Sequence, residues 1–110
     1  LTLVDDGGAG DPPAPWERSP VPAAFQIRGL GPVVMSVPEL RGTDLMLTHV
    51  LNMRPVREYD DGRAVHVYEM GGGGPHAELH VAVEPDEPPA GPGAGGVHHV
   101  AFRTPDEAQY

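Results

Sequence analysis

Glycine and proline account for 29 of the 110 residues, and where they fall constrains the fold more than their number does. Eight lie within 6–22, five within 71–75 and eight within 85–96. Proline removes a backbone donor and glycine weakens element interiors, so regular structure is confined to the segments between these three blocks. Those segments accommodate short strands and one modest helix. No run of about 18 apolar residues exists, so no segment reads as a membrane-crossing helix.

Between the blocks the pattern is legible. Residues 31–37 (GPVVMSV) read as a strand. Residues 43–51 (TDLMLTHVL) read as a helix with Thr43 as N-cap and Leu47, Val50 and Leu51 turned to a core. Residues 54–59 form a second strand, and Asp60-Asp61-Gly62 supplies the positive φ that a hairpin turn requires. Residues 64–70 (AVHVYEM) and 77–84 (AELHVAVE) alternate as third and fourth strands. The predicted order is β-α-β-β-β, an α+β unit over 25–84. Residues 1–5 read as the last strand of a preceding unit. Residues 6–24 read as a Pro/Gly-rich linker whose Trp16 packs against a neighbouring domain, and 85–96 as a connector. Residues 97–110 read as the first strand and helix start of a following unit: a strand over 97–103, then Thr104 as N-cap, Pro105 at the first helical position and Glu107 closing a capping box. An offset of 67 aligns Gly29 with Gly96, Val33 with Val100, Pro38 with Pro105 and Glu39 with Asp106, which supports a tandem array. The chain is thus expected to be an internal piece of a longer protein.

Composition removes several partners. The formal charge is −9, with seven arginines and no lysine, so neither nucleic acid nor an anionic membrane finds a basic footprint. No cysteine is present, which excludes disulfides and thiolate metal sites. The default compartment is the cytoplasm. Gly71 to Gly74 lack the following Lys-Ser/Thr of a phosphate loop and read as a flexible hairpin tip. An exposed fourth-strand edge or half-cup would favour a homo-oligomer.

Histidine and carboxylate positions carry what chemistry the chain has. On a strand, successive side chains point to opposite faces, so His98 and His99 cannot both bind one ion. Glu78 and His80 share one face of the fourth strand, and His66 and Tyr68 share one face of the third, so Glu78, His80 and His66, with His99, form a possible alternative metal set. The adjoining first strand contributes only Pro32, Val34 and Ser36 to it. His49 and His76 read as solvent or edge residues. Arg103 shares a strand face with His99, where it would orient an anionic substrate or pair with Asp106.

The wording Gly-Gly-Val-His-His-Val-Ala-Phe-Arg-x-Pro-Asp-Glu resembles the opening of a metal-binding βαβββ module of the vicinal oxygen chelate superfamily, which includes glyoxalases, bleomycin-resistance proteins and extradiol dioxygenases. More narrowly it resembles the hydroquinone-type ring-cleaving dioxygenases. The resemblance implies tandem βαβββ modules forming glyoxalase-like half-barrel sheets, and an enzyme that opens a small aromatic diol with iron(II) and O2. It implies His99 as a metal ligand, from its spacing to Asp106, with the other two ligands outside this chain and the fragment alone inactive. Manganese, zinc or nickel are the alternative metals. A glyoxalase-type lyase or isomerase, or a metal-free bleomycin-resistance-like binder of small molecules, are the alternative functions.

Overall fold

A computed structural model describes residues 2–5, 16–88, 90–94, 97–102 and 107–109. It contains a four-stranded sheet with one helix on one face, built from β1 (Val33–Val37), α1 (Leu40–Leu45), β2 (Arg54–Asp60), β3 (Ala64–Glu69) and β4 (Glu78–Val83). The spatial order is β1-β4-β3-β2. β1 runs parallel to β4, while the β2/β3 and β3/β4 pairs are antiparallel. The helix thus carries the chain from one edge of the sheet to the other, and two hairpins bring it back until β4 closes against β1. The expected β-α-β-β-β order and α+β class are what is found. The exposed edges are β1 and β2, however. β4 is an inner strand, which corrects the expectation of an exposed fourth-strand edge.

The helix differs from expectation at both ends. It begins at Leu40, not Thr43, because Glu39 is extended and acts as N-cap, its Oε1 accepting from the Gly42 N–H at 3.4 Å. Residues Met46–Val50 then form a π-helical turn in which the Leu51 N–H bonds to the Met46 carbonyl at 3.1 Å. One extra residue in that turn rotates the later side chains away from the 3.6-residue period. Leu47 is accordingly buried, whereas Val50 and Leu51 face solvent at 68% and 43% exposure. Asn52 adopts φ 56° and ends the helix, letting the Met53 N–H reach the Leu47 carbonyl at 2.9 Å. Met53 is buried as a result.

Residues directly opposite in a ladder share a face. Tyr68 pairs with Leu79, and Met35 pairs with Val81. These, with Leu47 and Met53, make the core under the helix, joined at its margin by Val37, Leu40 and Met70. Tyr68 also ties sheet to helix, donating its hydroxyl to Asp44 Oδ1 at 2.8 Å. Burial and that hydrogen bond hold the Tyr68 phenol well above its usual range.

Residues 97–102 do not form the expected strand, and neither do residues 2–5. The reason lies in the topology: β1 is held by β4, where Val33 meets Leu79 far along the sequence. A second β1-like segment needs a β4 of its own, and no strand among the described residues offers one. Val97 is 84% exposed in consequence.

Leu79→Ala is expected to cost about 2–5 kcal/mol in denaturant unfolding, since it empties a well-packed site. Tyr68→Phe is expected to cost about 1–3 kcal/mol by stripping Asp44 of its donor. Val50→Ala, on the rotated solvent side, should change stability by no more than about 0.5 kcal/mol.

Candidate functional site

The sheet face opposite the helix carries the densest polar cluster among the described residues. β4 presents Glu78 and His80 there, two residues apart and therefore on one side of the strand. β2 presents Arg57 and Tyr59 to the same side, because Arg57 lies opposite Val67 and Val67 opposite His80. Each β2 side chain reaches diagonally across β3. Arg57 grips Glu78 with both guanidinium nitrogens, at 2.6 and 2.7 Å. His80 Nε2 lies 2.9 Å from Glu78 Oε2, and the Tyr59 hydroxyl lies 2.9 Å from His80 Nδ1. The tyrosine ring meets the imidazole edge-on, with centroids 5.6 Å apart.

Charge fixes the protons in this chain of contacts. The Arg57 guanidinium, seconded by His80, holds the Glu78 carboxyl down at about 2. Glu78 is therefore an ionised acceptor, which puts the proton on His80 Nε2 when the ring is neutral and makes Nδ1 the acceptor for the Tyr59 O–H. His80 is only 7% exposed. Both of its nitrogens and both carboxylate oxygens of Glu78 are committed.

His66 does not join them. It pairs with Val81 and Glu58, on the helix side of the sheet. Its Nδ1 lies 3.0 Å from Glu58 Oε1, beside a cleft of about 410 Å³ lined by Leu40, Asp44, Pro55, Val56 and Tyr68 among others. The sequence pattern correctly puts His66 with Tyr68 and Glu78 with His80, but the β3/β4 register sets the two pairs on opposite faces. His98 and His99 lie beyond the sheet, both exposed, with their Nδ1 atoms 3.1 Å apart and their rings nearly perpendicular. Because this stretch is not a strand, the two rings meet; the opposed directions expected of them are not adopted. Arg103 and Asp106 lie outside the described residues. His49 and His76 are exposed, and His76 bonds through Nδ1 to the Leu30 carbonyl at 2.8 Å. Trp16 is exposed on this chain.

The glycine loop holds an anion of the chain's own. Gly71, Gly73 and Gly74 have φ of 54°, 77° and 96°, and the loop curls back on the Glu69 carboxylate, to which the Gly74 N–H donates at 3.3 Å. A Cβ on Gly73 would stand 2.7 Å from Glu69 Oε2.

Sequence reasoning missed Arg57 and Tyr59. Only half of the signal was present: counting outward from the Asp60–Gly62 turn pairs Tyr59 with Val65 and Arg57 with Val67, but that these face His80 follows from the β3/β4 register alone. As for a metal ion, no group of three His, Asp or Glu side chains is placed to hold one among the described residues. The Glu78–His80 pair does not fit one as it stands, because every donor atom already has a partner.

Since Glu78 binds its proton near 4.5 when unfolded and near 2 when folded, its stabilising contribution is complete above about 4.5 and is lost as pH falls towards 2. Glu78→Gln should flatten the pH dependence of stability across that window, measured by urea unfolding at stepped pH. An unchanged slope would mean that Arg57 does not bind the ionised carboxylate in solution.

Comparison with known proteins places this sequence in a family. Residues 29–110 match the model of the "Glyoxalase/Bleomycin resistance protein/Dioxygenase superfamily". The chain is 40% identical over 112 aligned residues to a Bacillus subtilis (strain 168) protein named "Putative ring-cleaving dioxygenase MhqA". The alignment covers 99% of this chain and 34% of that relative, so the chain spans about a third of the relative's length. No solved structure matches. With the family match extending over both the four-stranded unit and the His98–His99 segment, the chain belongs to the glyoxalase/bleomycin resistance protein/dioxygenase superfamily.

Proposed function

We propose that this chain works within a non-haem iron(II) dioxygenase that opens a hydroquinone-type aromatic diol with O2, and that His99 supplies one imidazole to the metal. The observation that carries this reading is the 40% identity, along almost the whole chain, to a protein named as a ring-cleaving dioxygenase. In the same reading residues 25–84 are a scaffold unit of a tandem array, residues 97–110 begin the next unit, and the remaining ligands come from polypeptide outside this chain.

Bound iron would supply acidity to a coordinated hydroxyl and a place for O2 beside the ring. The chain's own part is smaller: an imidazole at His99, accessible and next to a second imidazole, and Arg103 to orient an anionic substrate. His98 is the control, since it is adjacent and exposed but assigned no ligand role.

Metal analysis of the full-length polypeptide carrying this chain tests the reading. About one iron per chain is expected, reduced at least about tenfold by His99→Ala and kept in His98→Ala, with hydroquinone-dependent oxygen uptake falling in step. Iron retained in His99→Ala would remove that residue from the site. Zinc or nickel without oxygen uptake would favour a glyoxalase-type lyase or isomerase, and absence of metal with retained small-molecule binding would favour a bleomycin-resistance-like binder.

A further inference from the structure

The cluster on the open face has the layout of a cation site in which the cation is already a side chain. Glu78 Oε2 and His80 Nε2 stand 2.9 Å apart. Two ligands bound at about 2.1 Å and at a right angle on one ion would be separated by about 3 Å. His80 is held from behind through Nδ1 by Tyr59; a metal at Nε2 would require the ring proton to move to Nδ1, which would then donate to the Tyr59 oxygen as the outer N–H of a metal-bound imidazole does. Glu69 lies directly opposite Glu78 in the ladder, so two carboxylates stand side by side at this end of the sheet. Unpaired, they would repel each other and attract any cation. What faces them is Arg57, bidentate on Glu78, and Arg54, 3.7 Å from Glu69. Beside them on this face lie Val67, Val65 and Ala82, all buried, and on β1 Val34 and Ser36, which stand opposite His80 and Ala82.

We propose that Arg57 is a resident cation that closes a carboxylate–imidazole site to divalent metal ions, so that this unit's sheet does not compete for a metal that belongs elsewhere. A guanidinium suits the task. It remains charged at every physiological pH, its planar fork matches both oxygens of Glu78, and it cannot be titrated away. A dication brought against Glu78 would have to displace two charge-assisted hydrogen bonds and approach a fixed positive charge. Arg57 also braces the edge strand β2 to the inner strand β4 over β3, so the contact that excludes metal holds the sheet as well. The purpose given to Arg57 rests on the metal-centre reading above, whereas its closure of the Glu78–His80 site does not.

Cobalt(II) alone, titrated into the full chain and followed by visible absorbance, tests it. His98→Ala and His99→Ala are included in every protein so that the exposed pair makes no contribution. With Arg57 present no His80-dependent cobalt binding is expected. Arg57→Ala should bind one cobalt at least about tenfold more tightly, and adding His80→Ala should abolish the gain. Arg57→Lys, which keeps the charge, should remain closed. Arg57→Gln serves as a second neutral variant, with circular dichroism to show that the sheet persists. His80-dependent binding while Arg57 is present overturns the proposal, and so does the absence of a gain in both neutral variants. If neither neutral variant folds, nitrogen NMR of His80 in the otherwise unaltered chain decides: an Nε2 resonance shifted by zinc(II) refutes closure, and one unmoved at millimolar zinc upholds it. Iron loss in His99→Ala and cobalt gain in Arg57→Ala are separate measurements, so either reading can fail alone.

Discussion

The register between β3 and β4 is the constraint on which the rest depends. With Tyr68 opposite Leu79 and Val67 opposite His80, every apolar side chain the helix needs falls on one face and the Glu78–His80 pair on the other. A slip by one residue would exchange the faces, driving Glu78 and His80 under the helix and Leu79 and Val81 into water. The core fixes this register from one side through Leu79, Val81 and Tyr68, packed with Leu47 and Met53. The Arg57–Glu78–His80–Tyr59 network fixes it from the other, since its contacts from β2 reach β4 across β3. Packing and ion pairing thus select the same alignment, and the polar cluster is a consequence of how the core is registered.

The helix is bound to that alignment at one point of chemistry. Tyr68 is almost fully buried yet keeps a hydroxyl, and the hydroxyl finds Asp44 on α1. A buried phenol without a partner would cost more than the contact is worth, so this bond dictates where along the sheet the helix rests. The π turn beyond it then delivers Leu47 to the core and brings the chain round through Asn52 to start β2. Its price is an exposed Leu51 and Val50.

The range of the forces involved decides which features are legible in the sequence and which are hidden. Strands show through period-two alternation and the β2/β3 turn through Asp60-Asp61-Gly62, because both depend on neighbours in sequence. The helix is capped four residues before Thr43, since Glu39 after Pro38 is a weaker cap signal. Val50 and Leu51 carry the spacing of core residues yet lie in solvent, because no local pattern announces a π turn. Glu78 with His80 is visible on one strand. Their partners are not, because Arg57 and Tyr59 reach them across β3 and require a register that only tertiary packing settles. In the His98–His99 segment the alternation is as strand-like as that of β1, but alternation describes what a strand would look like and not whether a partner strand is there to receive it.

Electrostatics connects the two ends of the chain. With sixteen acids against seven arginines the molecule attracts cations as a whole, so the net field cannot choose where a cation rests. Local geometry has to do so. Arg54, Arg57 and Arg63 are paired with Glu69, Glu78 and Glu84 across the strands of the sheet, which neutralises the carboxylates most deeply set in it. The imidazoles of His98 and His99 have no such counterpart among the described residues, and lie exposed with each other as ring partners. Within one acidic chain, then, the buried carboxylate–imidazole pair is saturated by a side-chain cation while the exposed imidazole pair keeps its access to solvent, and this difference arises from strand pairing in the first case and its lack in the second.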